Sequence, residues 1–244
     1  MQPIIISRRF QGPPASGNGG YSCAMIARFI DGPSAVRLAI PPPLETPLEM
    51  RITDAVVELF DQDKKVASGR PVSVELDIPR PPDFAGAQAA SARYRGFVAH
   101  FYPGCFVCGP ERDPGDGLRI FAGPVDEGSG PDGMVAAAWI PDETLADSSG
   151  FVAPEYIWAA LDCPGAYAFA EPQNGALLLG ELAVSINGPV SVGEKCVLIG
   201  WEISQSGRKH FTGTAVFGES GSCRAVGYAT WFEVPVEADQ LDQS

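Results

Sequence analysis

The sequence predicts an α+β fold of two tandem units, each a central helix wrapped by a curved antiparallel sheet. Three observations carry that prediction. An apolar helical segment headed by Gly or Pro occurs twice, as YSCAMIARFI after Asn18-Gly19-Gly20 and as YIWAALDCPGAYAF after Pro154-Glu155. Each copy continues into an extended segment, a Gly/Pro-rich break and a run of strands. Neither unit alone covers its apolar face, so the two must bury each other.

Taken in order, IIISRRF reads as a strand and QGPPASGN as a turn-rich entry to the first helix, with Asn18 as N-cap. Met25, Ile26 and Phe29 recur at helical spacing. The extended segment from Ala35 to Ile40 and the break PPPLETPLE precede strands between Met50 and Leu76. There, VELF and VASGRPVSVEL flank the turn Asp61-Gln62-Asp63, and alternation of Val72, Val74 and Leu76 marks a half-buried hairpin. This first unit is assigned to residues 1–78. A crossover follows over 79–110, where PRPPDFAGAQAASARYRG is Pro/Ala-rich with a helical pattern at its centre. CFVCGPERDPGDG then supplies turn chemistry.

The second unit, residues 111–236, adds strands LRIFAG and MVAAAWI ahead of its helix. Beyond the helix come the strand from Glu181 to Ile186, the break NGPVSVGE and strands between Lys195 and Val234. Gly/Ser pairs in QSG and ESG are hairpin turns between WEI, HFTGTAVFG and CRAVGYATWFEV. Residues 237–244 form a tail.

A chain of 244 residues with 45% apolar content can bury a substantial core, which excludes disorder. Seventeen basic against thirty acidic residues give a formal charge of −13, which disfavours nucleic acid and anionic lipid as partners. No run of about 18 apolar residues exists to span a membrane. The apolar run in MQPIIISRRF is too short for a signal peptide, and its arginines follow the apolar residues. Six cysteines in a chain of this length read as reduced thiols. The expectation is a soluble, cytoplasmic protein.

An apolar helix wrapped by a strongly curved antiparallel sheet, twice in one chain, resembles the hotdog fold in its double-hotdog form. The segment CFVCGPERDPGDGLRIF is similar to the entry segment of hotdog thioesterases related to the phenylacetate-pathway acyl-CoA thioesterases. The resemblance spans nearly the whole chain. It implies His-Gly-Gly or Asn-Gly-Gly at the start of the central helix, and an acid seven residues past the second glycine. Here that signature is split: Asn18-Gly19-Gly20 keeps the glycines but has Ala27 at the acid position, whereas Asp162 keeps the acid but has Pro154-Glu155 in place of the glycines. The implied site is composite, with Asn18, Gly19 and Gly20 from one half and Asp162 from the other.

Both elements serve thioester cleavage. Free N–H groups at a helix N-terminus bind the oxygen that becomes negative as the thioester carbon turns tetrahedral. A nearby carboxylate activates water as general base or attacks the carbonyl as nucleophile. The simpler reading of Asp162 is a cap for a new helical turn, since Cys163-Pro164-Gly165 follows it, and Asn18 with its glycines can be a plain N-cap. Pro164 predicts a kink beyond the carboxylate that opens it to a cleft.

Glu155 complements the dipole of its helix and is a reserve acid. Ser148 and Ser149 read as a turn, no G-x-S-x-G elbow is present, and His100 and His210 lie outside the helical positions. Cys105 and Cys108 read as a packed turn holding no metal, because a structural zinc site needs four ligands and no second close pair is present. Neither glycine-rich run has a nucleotide-binding spacing, so no cofactor is expected beyond coenzyme A as part of the substrate. For its phosphates, Arg208 and Lys209 at a hairpin turn are the strongest basic cluster, with Arg8-Arg9 and Arg93 with Arg95 as alternatives. Tyr21, Tyr156 and Trp158 are candidate acyl-pocket residues. The leading expectation is a thioesterase acting on acyl-CoA or an acyl carrier; the second is a hotdog protein that binds acyl-CoA or a related acid without cleaving it. A homodimer of such chains would fit either.

Overall fold

The computed structural model describes residues 3–54, 56–169 and 176–234. In chain order the elements are α1 (Gly19–Ala27), β1 (Ser34–Leu38), β2 (Glu49–Thr53), β3 (Val56–Asp61), β4 (Lys64–Pro71) and α2 (Phe84–Ser91). There follow β5 (Gly123–Pro124), β6 (Val135–Trp139), α3 (Pro154–Ala160), α4 (Cys163–Ala166), β7 (Ala176–Ile186), β8 (Cys196–Ser206), β9 (Lys209–Phe217) and β10 (Cys223–Val234).

The strands form one ten-stranded sheet in the order β2-β3-β4-β1-β7-β10-β9-β8-β6-β5, with every neighbouring pair antiparallel. Two separate sheets were expected. The first-half and second-half strands instead join edge to edge through β1 and β7, where Ala35 lies opposite Ala183 and Val36 opposite Leu182. Joining these edges satisfies backbone groups that two separate sheets would expose.

Both central helices begin at the residues the sequence marked. Asn18 Oδ1 accepts from the Tyr21 N–H at 2.9 Å, capping α1, and Gly20 through Ala27 are all buried. Pro154 opens α3, where a missing N–H costs nothing. The two helices pack on each other, and the sheet curves around them: a Cβ on Gly69 of β4 would lie 2.9 Å from Ile26 Cγ2, so only glycine admits α1 this close. The main core runs from Ile26, Leu59 and Val66 of the first half to Leu161, Leu182 and Leu198 of the second.

Several local expectations are corrected. IIISRRF is not a strand; Ile4 makes one isolated bridge with Leu48, and Arg8–Phe10 form a 3₁₀ turn capped by Ser7. LRIFAG also stays outside the sheet apart from Gly123. Leu118 and Ile120 instead donate their N–H groups to Phe106 O and Val107 O, clamping the cysteine turn. Val72, Val74 and Leu76 keep alternating burial, but β4 ends at Pro71, whose ring interrupts pairing. Within the Pro/Ala-rich stretch, α2 forms behind its Asp83 cap and covers the outer face of β6 and β8 with Ala87 and Ala90. No helix among the described residues is long and apolar enough to cross a membrane.

Candidate functional site

The site lies where the N-terminus of α1 meets the break between α3 and α4. α3 stops at Ala160 because Pro164 cannot continue its hydrogen-bond ladder, and Asp162 sits in the gap with non-helical torsions (φ −79°, ψ −84°). Thr214 Oγ1 of β9 donates to Leu161 O at 2.8 Å, satisfying a carbonyl that the interrupted helix leaves bare.

Asp162 makes no capping bond to α4. Its Oδ2 turns across the interface, accepting from the Gly20 N–H at 2.8 Å and from Asn18 Nδ2 at 2.8 Å. Residues 18 and 20 and residue 162 therefore meet across the two halves. Oδ1 is buried with no hydrogen-bond partner among the described residues. Burial pushes the carboxyl up to about 7, against the opposing pull of the Gly20 N–H, with the Cys105 sulfur adding to the rise and Asn18 opposing it.

The two glycines divide the work differently from the expectation. The Gly20 N–H is already committed to Asp162, so it is no free oxyanion donor. A Cβ on Gly20 would sit 2.6 Å from Trp158 O and 2.7 Å from Asp162 Cβ, so this glycine sets the closest approach of α1 to α3. Gly19 is only half-buried, and its N–H has no partner among the described residues, which makes it the open donor at the helix terminus. Nor does the kink open Asp162 to a cleft: its residue exposure is 2%. Two surface hollows, one beside Asp77 with Trp201 and one beside Val72 with Tyr228, do not include it.

Tyr21, Tyr156 and Glu155 cluster beside this point. Phe10, which the sequence reading missed, stacks on Tyr21 at 3.8 Å between centroids, and Phe106 and Tyr156 complete an aromatic group with rings 5.1–6.3 Å apart. Burial, with the nearby Tyr156 and Glu155 charges, pushes the Tyr21 hydroxyl well above its ordinary range. Trp158 lies in the core under the helix pair. Arg208 and Lys209 are not brought to the site: Lys209 lies over the Phe232 ring, and no hydrogen bond or ion pair links either residue to Asn18, Gly20 or Asp162. Arg9 lies beside the aromatic group, 5.6 Å from the Phe10 centroid, and it also bonds Gly115 O and Asp116 O, while the Arg28 charge acts on Tyr21 as well. Arg95 is spent on Phe169 O and Ala166 O.

The cysteine turn carries a third thiol that linear spacing hides. Cys163, next to Asp162, places its Sγ 3.8 Å from Cys105 Sγ, and the sulfurs of Cys105, Cys108 and Cys163 all lie within 4.8 Å of one another. His100 is near Cys108, and burial holds its ring below the ordinary histidine range.

No family model and no curated protein matches the chain. Among solved structures, the chain is similar over nearly its whole length to the TesB protein of Mycobacterium avium subsp. paratuberculosis, with 13% identity, 92% of this chain and 90% of that one covered, and a TM-score of 0.57. It is likewise similar to a candidate thioesterase from Novosphingobium aromaticivorans, with 12% identity, 95% and 94% coverage and a TM-score of 0.57. At such identity the likeness speaks to the fold. The chain thus has the double-hotdog fold: two helix-and-sheet units in one polypeptide, closed into a continuous sheet around paired central helices.

Proposed function

We propose that the protein hydrolyses acyl thioesters of coenzyme A or of an acyl carrier at one composite site per chain. The observation that carries this reading is the Asp162 carboxylate: one oxygen is fixed by two donors from the opposite half, and the other is left unpartnered. A base or nucleophile needs that arrangement, because the fixed oxygen sets the geometry while the bare one reacts. Oδ1 takes a proton from water as the water oxygen bonds the thioester carbon, or attacks that carbon itself to give an anhydride that water then cleaves; the Gly19 N–H receives the developing oxyanion, whose collapse breaks the C–S bond and releases the thiolate to take up a proton. The aromatic group of Phe10, Tyr21 and Tyr156 supplies an apolar wall for the acyl chain, and Arg9, beside the Phe10 ring, supplies a cation for the coenzyme phosphates. The pseudo-equivalent position holds Ala27, so the mirror site has no acid. The two comparison proteins' descriptions as TesB and as a candidate thioesterase agree with this reading.

The near-complete burial of Asp162 favours a second reading, a protein that holds such ligands without cleaving them. A panel of acyl-CoA and acyl-carrier substrates assayed for thiol release separates the two. Hydrolysis is expected for at least one acyl class; saturable binding of acyl-CoA with no thiol release from any substrate would establish the second reading instead.

A further inference from the structure

We propose that Cys105, Cys108 and Cys163 form a three-thiolate site for zinc, built directly behind Asn18. The geometry suits that ion. Zinc–sulfur bonds of about 2.3 Å at tetrahedral angles set the ligands about 3.8 Å apart, and Cys105 and Cys163 have their sulfurs 3.8 Å apart with no change of conformation. Cys108 Sγ lies within 4.8 Å of both. All three residues are buried, and they come from two distant segments, a C-x-x-C turn and the start of α4.

The surroundings are arranged for thiolates. Asn18 Nδ2 lies 3.9 Å from Cys105 Sγ and 4.0 Å from Cys163 Sγ, so the one hydrogen not donated to Asp162 is left for the sulfurs. His100 has a defined part. Its Nδ1 accepts the Tyr102 N–H at 2.9 Å, so the neutral ring carries its proton on Nε2, 3.4 Å from Cys108 Sγ. His100 is therefore a hydrogen-bond donor to the sulfur and not a fourth ligand, leaving the fourth position to water or another small donor. Binding of Zn²⁺ releases the thiol protons as three Zn–S bonds form, and the net charge of −1 is met by these donors. The site replaces the metal-free turn expected from spacing. It stands apart from the hydrolytic reading, since its test reads metal alone.

The test uses the full chain, purified without a histidine tag under reductant. Elemental analysis should find about one zinc per chain, and cobalt(II) added to the metal-free protein should give an intense thiolate-to-cobalt charge-transfer band with tetrahedral d–d absorption. Cys163→Ser should abolish that band, His100→Asn should weaken cobalt binding by about 10- to 100-fold, and Cys223→Ser, at a thiol outside the cluster, should leave it unchanged. Folded wild-type protein that takes up cobalt without a thiolate band would overturn the proposal, and so would a band that survives Cys163→Ser. A Cys105–Cys163 disulfide in protein isolated anaerobically would also overturn it, assigning the cluster to redox chemistry.

Discussion

Asp162→Asn should fold as the wild type does and lose thioester turnover by about 10²-fold or more. The amide has the carboxylate's shape, and its oxygen can still accept from Gly20 and Asn18, so the contact between the halves survives. What disappears is the basic lone pair at the unpartnered oxygen. The variant's Tm and its acyl-CoA affinity should stay close to wild type while kcat falls, because the loss falls on the transition state and not on ground-state binding. If Asp162 were only a linker between helices, kcat would track stability and hardly change in a well-folded variant.

Gly20→Val should damage stability and turnover together. The added Cβ meets Trp158 O, Asp162 Cβ and, at 3.0 Å, Ala159 Cα, all on or beside the backbone of α3, where no flexible side chain can give way. Separating the helices costs about 1–3 kcal/mol or more. The same movement draws the Gly20 N–H away from Asp162 Oδ2, freeing the carboxylate to rotate, and turnover should drop by about 10²-fold from lost positioning. Thermal unfolding with thiol-release kinetics checks both arms. A valine variant with wild-type Tm would contradict the close helix approach.

The sequence made some of this legible and not the rest, for reasons that differ by residue. Helix starts at Gly19 and Pro154 were readable because capping and Pro at the first turn are local chemistry. Hairpins β3–β4, β8–β9 and β9–β10 were readable from their turns, whereas the alternation of Val72, Val74 and Leu76 falls beyond the end of β4. The merger of both halves into one sheet was not, since the β1–β7 pairing joins residues nearly 150 apart and leaves no local pattern. IIISRRF has strand composition, yet only Ile4 and Ile6 are buried in the core and only Ile4 finds a bridge partner. At the site, the split glycine and acid elements pointed to residues 18–20 and 162. The division of roles between Gly19 and Gly20 depends on which N–H faces Oδ2, a matter of angstroms that spacing does not encode. Cys163 was overlooked for a similar reason: its partners lie 58 and 55 residues away, and no repeat of the C-x-x-C spacing announces it. Arg208 and Lys209 show the opposite error, a charge cluster conspicuous in sequence that folds onto a hairpin unconnected to Asp162.

A crystal structure of the Asp162→Asn chain with a bound acyl-CoA tests the composite site most directly, because the slowed variant holds an intact thioester. The account predicts one ligand per chain, with the thioester carbonyl against the Gly19 N–H, the side chain of residue 162 facing the carbonyl carbon, and the acyl chain along Phe10, Tyr21 and Tyr156. An acyl-CoA seated at the mirror position beside Ala27 and Pro154, or two ligands per chain, would contradict it.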